Sequence, residues 1–162
     1  MIDLSLGSSA GSSAVPSNQD YEAITNALQE ANNYGVAVVA AAGNDDGGHV
    51  DYPAAYPSVL SVGAADTQGG AFCAFANHGE DLRLIAPGCD LDAADPGSGE
   101  ADYNYWQGSS ESSDIAASAL DALMSYRPEL SPKAAEEYVT RTRRHTRHRT
   151  GVPQRRPRPA RS

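Results

Sequence analysis

The chain has 162 residues, of which 40% are apolar and 20% charged, with 15 glycines and 10 prolines; this suits one loop-rich globular domain and excludes a coiled coil, a fibre or two separate cores. Its longest apolar run, residues 36–42 (VAVVAAA), is too short to cross a bilayer. The formal net charge of −9 is unevenly spread, because residues 1–140 hold all 21 acidic residues and only three basic ones, while residues 141–162 hold nine basic residues and no acid; such a body should repel nucleic acid and anionic membranes, and such a tail should attract them.

Residues 1–6 (MIDLSL) read as a short strand that starts at the first residue, so the chain is expected to open in mid-fold, and residues 1–20 hold neither the basic nor the apolar region of a signal peptide. After a small polar loop, residues 20–34 place Ala23, Ile24, Ala27, Leu28 and Ala31 at helical spacing, and Gly35 supplies the stop. Residues 36–42 have the continuous apolar character of a strand covered on both faces. Strand, helix and strand then make a parallel crossover unit. Residues 59–64 form another strand, and shorter ones are expected around 71–75, 82–86 and 103–106. From Ser110 onward, Ile115, Ala116, Ala119, Leu120, Leu123 and Met124 line one broad apolar face of a core helix. Ser131 and Pro132 make the cap and first position of a last helix that runs to residue 140.

The domain is therefore expected to occupy residues 1–140, followed by a basic tail, residues 141–162, with scarcely a side chain that could pack. Three readings of the tail stay open: a polybasic arm, a solvated segment lying against the acidic body, or a shifted reading frame in the gene. Cys73 and Cys89 permit either one disulfide or two buried free thiols. Neither has a His or a second Cys at the spacing of a zinc site.

Three segments could carry chemistry. Ser5, Leu6 and Gly7 lie at a strand end, Ala41, Ala42, Gly43 and Asn44 follow a buried strand, and Gly108, Ser109 and Ser110 open a long helix. Each alone has an ordinary explanation: a chance tripeptide, a strand exit with a turn residue, and a helix cap. In this order, however, and together with residues 51–63 (DYPAAYPSVLSVG), 75–79 (FANHG), 81–88 (DLRLIAPG) and 130–132 (LSP), they resemble the subtilisin-like serine protease family.

The resemblance spans about residues 1–140 and matches the C-terminal part of the family's catalytic domain. It implies an α/β fold, a mainly parallel sheet flanked by helices, truncated at its N-terminal side. It also implies a secreted monomeric endopeptidase that acts on peptides or proteins, with no nucleic acid or membrane partner and no cofactor, structural calcium being left open.

By this resemblance Ser110 is the nucleophile and Asn44 donates its side-chain amide to the oxyanion. Loss of such a donor costs roughly 10²- to 10³-fold in turnover in subtilisin itself. A serine at a helix start sits in the positive end of the helix dipole, where developing negative charge is favoured. Ser5, Leu6 and Gly7 match the strand that pairs with extended substrate. Ala41, Ala42 and Gly43 match one wall of the pocket for the residue before the scissile bond, and their small side chains imply a roomy, apolar pocket.

A serine hydroxyl needs a base, which in this family is a His oriented by an Asp, both on segments before the one where this sequence begins. Asp3 lies too far along the pattern to be that Asp. His49, in a polar loop, and His78, in a surface turn, are poor substitutes, as are His145 and His148 in the tail. Where the family has small residues and a proline after the nucleophile, this chain has Glu111, Ser112, Ser113 and Asp114. The two acids faintly resemble those of serine-carboxyl peptidases, but Glu111 adjoins Ser110, and adjacent helical residues do not face each other; a structural role is expected. A non-catalytic pseudoprotease that keeps the peptide groove is the alternative.

Overall fold

The computed structural model describes residues 1–7, 17–67, 70–95 and 102–142. In chain order these form β1 (Ile2–Leu4), α1 (Asn18–Asn33), β2 (Val38–Ala41), β3 (Leu60–Ala65), β4 (Leu84–Pro87), β5 (Leu91–Asp95), β6 (Asp102–Trp106), α2 (Ser109–Tyr126) and α3 (Pro132–Thr142). The first four strands make one parallel sheet in the order β1-β2-β3-β4, with Ile2 opposite Val38, Val39 opposite Leu60 and Val62 opposite Leu84. The crossover expected around α1 is therefore present, and the fold is α/β.

Both faces of the sheet are covered, for a reason written in the strands. Successive side chains point to opposite faces, so a strand in the middle layer must be apolar at every position. Val39, Leu60, Val62 and Ala86 pack against Ala116, Ala117 and Leu120 of α2 and Ala135 of α3. Val38, Ala40, Ala42 and Val59 face the other way, toward Leu28 of α1 and the Val50, Ala54 and Tyr56 side chains. Leu28 is the one buried residue among the described side chains of α1. β1 is the edge strand of the sheet among the described residues, and its Ile2 is 42% exposed.

Helix boundaries follow local chemistry. Ser17 caps α1 by accepting the Asp20 N–H at 3.2 Å, and Gly35, at φ +75°, ends the turn after it. Ser131 Oγ accepts the Ala134 N–H at 3.3 Å, as its capping role requires. α2 begins at Ser109, one residue before the expected start, and α3 reaches Thr142.

Two strand expectations need correction. Around residues 71–75 only a single bridge forms, Phe72 to Ala65, because the chain turns there and Ala76 N–H bonds back to the Cys73 carbonyl. Conversely, β5 was not legible: its sequence LDAAD is rich in Asp, a poor strand former, and it is a strand because β6 pairs with it antiparallel, with Leu91 opposite Trp106. Cys73 and Cys89 are joined in a disulfide, Cα to Cα 6.2 Å, tying this turn to the residues after β4. The tail from residue 143 and the polar loop at 8–16 lie outside the described residues.

Parallel strands bring their C-terminal ends to one edge of the sheet, which is where open α/β sheets build sites. The residues after β1, those after β2 and the start of α2 meet there. The start of α2 can seat so close because of Gly88: its carbonyl accepts the Gly108 N–H at 2.8 Å. A Cβ on Gly88 would lie 2.6 Å from the Ala64 Cβ and 2.8 Å from the Gly108 carbonyl oxygen.

Candidate active site

Ser110 lies in the first turn of α2, half-buried, and its hydroxyl donates to the Ser5 carbonyl at 3.2 Å. The Ser5 hydroxyl reaches back to the Ser110 carbonyl at 3.4 Å. Its neighbour Ser109, only 1% exposed, locks the same helix tip to the exit of β2 in two directions: its N–H donates to Asn44 Oδ1 at 2.8 Å, and its hydroxyl accepts the Gly43 N–H at 3.1 Å. The three segments singled out in the sequence thus converge.

The Ser109 bond also fixes which way the Asn44 amide points. Its oxygen is taken by a backbone N–H, so Nδ2 is the end turned outward as a donor. That nitrogen lies 3.5 Å from the point that a Cβ on Gly108 would occupy, and the Ser110 backbone nitrogen lies 3.6 Å from the same point. Two N–H donors therefore face one corner at the positive end of α2, an arrangement suited to an oxygen that gains negative charge.

Glu111 is also in that corner. Its Oε2 is 2.6 Å from the same point, is buried, and accepts no hydrogen bond among the described residues. Its side chain does not turn toward the Ser110 side chain, as helix geometry implied; it curls back over Gly108 instead. A carboxylate oxygen thus stands beside the two donors, close to where a substrate oxygen would have to enter.

Behind Ser110 lies a second acidic feature. Ser5 Oγ is 3.0 Å from Asp3 Oδ2, 2.9 Å from Asp114 Oδ1 and 3.1 Å from Ser113 Oγ. Burial, reinforced by hydrogen bonding of the protonated Asp3 to the Asp114 carboxyl, pushes the Asp3 carboxyl up to about 6. Ser5 Oγ, in contact with both carboxyl groups, ties β1 to the first turns of α2. Asp3 and Asp114 therefore brace the strand that carries Ser5 against the helix that carries Ser110. In sequence they are 111 positions apart, which is why no local pattern joins them.

An acid lies beside the walls expected to bound an apolar pocket. Asp51, 2% exposed, sits between Gly7 and Gly43. A Cβ on Gly7 would lie 3.4 Å from the Asp51 Cβ and 3.6 Å from its Oδ2, and one on Gly43 would lie 2.8 Å from the carboxyl carbon. Gly43 also has φ +107°, a conformation that other residues adopt only under strain. The Asp51 N–H donates to the Ala42 carbonyl at 2.9 Å, which holds the acid beside the wall. Beneath it the fully buried Asn77 bonds the Ala42 carbonyl through Nδ2 at 3.2 Å and receives the Asp45 and Gly47 N–H groups on Oδ1 at 2.9 and 3.0 Å. Asp51 was not singled out in the sequence; its one signal is an acid placed between Val50 and Tyr52 in an otherwise apolar approach to β3.

His49 lies at this pocket and not at Ser110, with Nε2 3.6 Å from Asp51 Oδ1. His78 is a turn residue beside Phe72, ring centroids 6.1 Å apart. His145 and His148 lie outside the described residues. Leu6 is exposed, while Ala41 and Ala42 are buried. Among the described residues no three His, Cys, Asp or Glu side chains gather as a metal ion requires, and no helix there is long and apolar enough to cross a membrane.

Comparison with known proteins bears on the family of the chain. The profile of the subtilase family matches residues 1–156. The alkaline elastase YaB of Bacillus sp. (strain YaB) is 38% identical over 104 residues, 64% of this chain and 25% of that protein. The halolysin-like extracellular serine protease Nep of Natrialba magadii is 38% identical over 105 residues, 65% of this chain and 19% of its own length. Subtilisin Savinase of Lederbergia lenta is 36% identical over 104 residues, 64% of this chain and 35% of that protein. Among solved structures, the prenylagaramide maturation protease PagA superposes with a TM-score of 0.65 at 29% identity, covering 86% of this chain and 48% of that one. The chain thus spans well under half the length of the curated relatives it matches.

Proposed function

The chain belongs to the subtilase family, and from that premise we propose that it carries the nucleophile and oxyanion half of a serine endopeptidase site, with peptides or proteins as substrates. Ser110 attacks the scissile carbonyl, and the oxygen of the tetrahedral intermediate enters the corner between Asn44 Nδ2 and the Ser110 N–H. Substrate backbone lies along Ser5, Leu6 and Gly7, and the side chain before the scissile bond enters between Gly7 and Gly43. The observation that carries this proposal is the double lock of Ser109 on Gly43 and Asn44, which aims the amide nitrogen at the same corner as the Ser110 N–H.

The hydrogen bond of Ser110 goes to an amide carbonyl, which cannot take its proton. A base beyond the described residues is therefore part of the proposal, and without it the chain should hydrolyse peptides only feebly. Secretion belongs to the same proposal, supported by the extracellular relative Nep. A non-catalytic peptide-binding role is the second reading, and the Glu111 carboxylate in the oxyanion corner favours it.

Fluorophosphonate labelling of the natural polypeptide, with the adduct located by mass spectrometry, tests the choice. The adduct is expected on Ser110 and is expected to vanish in Ser110→Ala. Labelling at another serine, or none at all, would refute the catalytic role and leave the peptide-binding one.

A further inference from the structure

Asp51 is a buried acid whose position neither the sheet nor the helices require. It belongs to no strand, and its carboxyl group lies between two glycines that come from different segments, one after β1 and one after β2. Those glycines are the two walls between which a substrate side chain would enter. We propose that this pocket is built for a cationic side chain, arginine or lysine, and that Asp51 is its specificity-determining residue. The proposal rests on the assignment of Gly7 and Gly43 as pocket walls, and it deepens that assignment by naming the substrate class.

Three observations support it. First, the carboxyl group is presented through glycine on both sides. At Gly43 a methyl group would overlap the acid, and at Gly7 it would fill the approach to Oδ2 at 3.6 Å. Bare backbone on both sides lets the acid lie against the two segments that would flank an entering side chain.

Second, the two carboxylate oxygens have different surroundings. Oδ1 is the one near His49, 3.6 Å from Nε2, and that imidazole is half-exposed at the rim. Oδ2 is the one that faces the glycines. An entering guanidinium or ammonium would meet Oδ2 from the pocket side while His49 stays on the solvent side.

Third, the field of the whole body favours a cation. Up to residue 140 the chain has only Arg83, Arg127 and Lys133 as basic residues against 21 acids. Arg83 is engaged by Glu136 at 2.9 Å, Arg127 pairs with Glu129, and Lys133 lies in the first turn of α3. Asp45 and Asp46, exposed in the loop that leads from Asn44 toward Asp51, add further negative charge to the surface. Such a surface should draw basic peptides toward the groove and repel acidic ones.

The pocket can be tested without turnover. Binding of acetyl-Ala-Ala-Arg-amide and acetyl-Ala-Ala-Leu-amide to the 162-residue chain would be measured by isothermal titration calorimetry. The arginine peptide is expected to bind about tenfold tighter or more, the scale of one charge-assisted hydrogen bond, and added salt should shrink the difference. Asp51→Asn should bring the two peptides within about twofold, whereas Ser110→Ala should leave the preference intact. Equal or tighter binding of the leucine peptide, retention of the arginine preference in Asp51→Asn, or no binding of either peptide would overturn the proposal. Should Asp51→Asn fail to fold, the wild-type preference and its salt dependence still decide the matter. A charged pocket together with an unlabelled Ser110 would sink the catalytic reading alone; a labelled Ser110 with no arginine preference would sink only the pocket.

Discussion

Replacing Asp3 by Asn should make the chain more stable at neutral pH, although it removes a group that takes part in a hydrogen-bonded cluster. Burial and the Asp114 carboxyl raise Asp3 from 3.8 to about 6 in the folded protein. Below the unfolded value both states hold the proton, and Asp3 costs nothing. As pH rises from there, the unfolded chain releases the proton first, so stability is lost progressively until pH passes the folded value, and above it the whole cost remains. At ~1.4 kcal/mol per pH unit the full shift would correspond to about 3 kcal/mol. Asp3 is partly exposed and its interactions are screened, so about 1 to 1.5 kcal/mol is the expected effect. Asparagine cannot ionise, yet its amide can still donate to Asp114. The difference in unfolding free energy between Asp3→Asn and wild type should therefore be near zero at about pH 4 and should grow to its full value by about pH 7. Urea titrations at a series of pH values measure it. A difference independent of pH, or one that shrinks as pH rises, would refute the assignment of Asp3 as a carboxyl raised by burial between β1 and α2.

Other substitutions probe the remaining links. Leu120→Ala, at a position with no solvent exposure where α2 meets the sheet, should cost about 3 to 5 kcal/mol in denaturant unfolding, since the cavity is walled by strands that cannot close in. Glu111→Gln should raise stability by about 1 kcal/mol at neutral pH, because the buried Oε2 accepts no hydrogen bond among the described residues; a loss of stability would mean that the carboxylate is held by an interaction that the corner needs. Arg83→Met should cost about 3 kcal/mol by stranding the Glu136 carboxylate, 6% exposed and 2.9 Å from the guanidinium. Burial already raises Glu136, so that cost should be largest at neutral pH and should ease as acid protonates Glu136, which thermal melts at two pH values would register.

The order of elements could be read from the chain because the signals are local. A run such as VVAA can only be a strand covered on both faces, and the period of Ile115, Ala116, Ala119, Leu120 and Leu123 can only be a helix with one buried side. The residue types at the ends of β1 and β2 and at the start of α2 were equally plain, and their common order pointed to the family. β5 was missed because its aspartates argue against a strand and only its pairing with β6 makes it one. The pairing of Cys73 with Cys89 stayed open in the sequence, since spacing permits a bridge without placing the two Cα atoms 6.2 Å apart.

The sequence alone determined the α/β class, because periodicity is a property of neighbours along the chain, while the roles proposed for Ser110 and Asn44 came from the resemblance of short motifs to the subtilisin-like family. Only the tertiary structure decided that Ser109 turns the Asn44 amide toward Ser110, that Glu111 shares that corner, that Asp3 and Asp114 meet at the Ser5 hydroxyl, and that Asp51 lies between Gly7 and Gly43. Each of these depends on a distance of a few ångströms between atoms from different segments, most of them tens of residues apart, and such a distance is set by the packing of the sheet and α2 rather than by any local pattern.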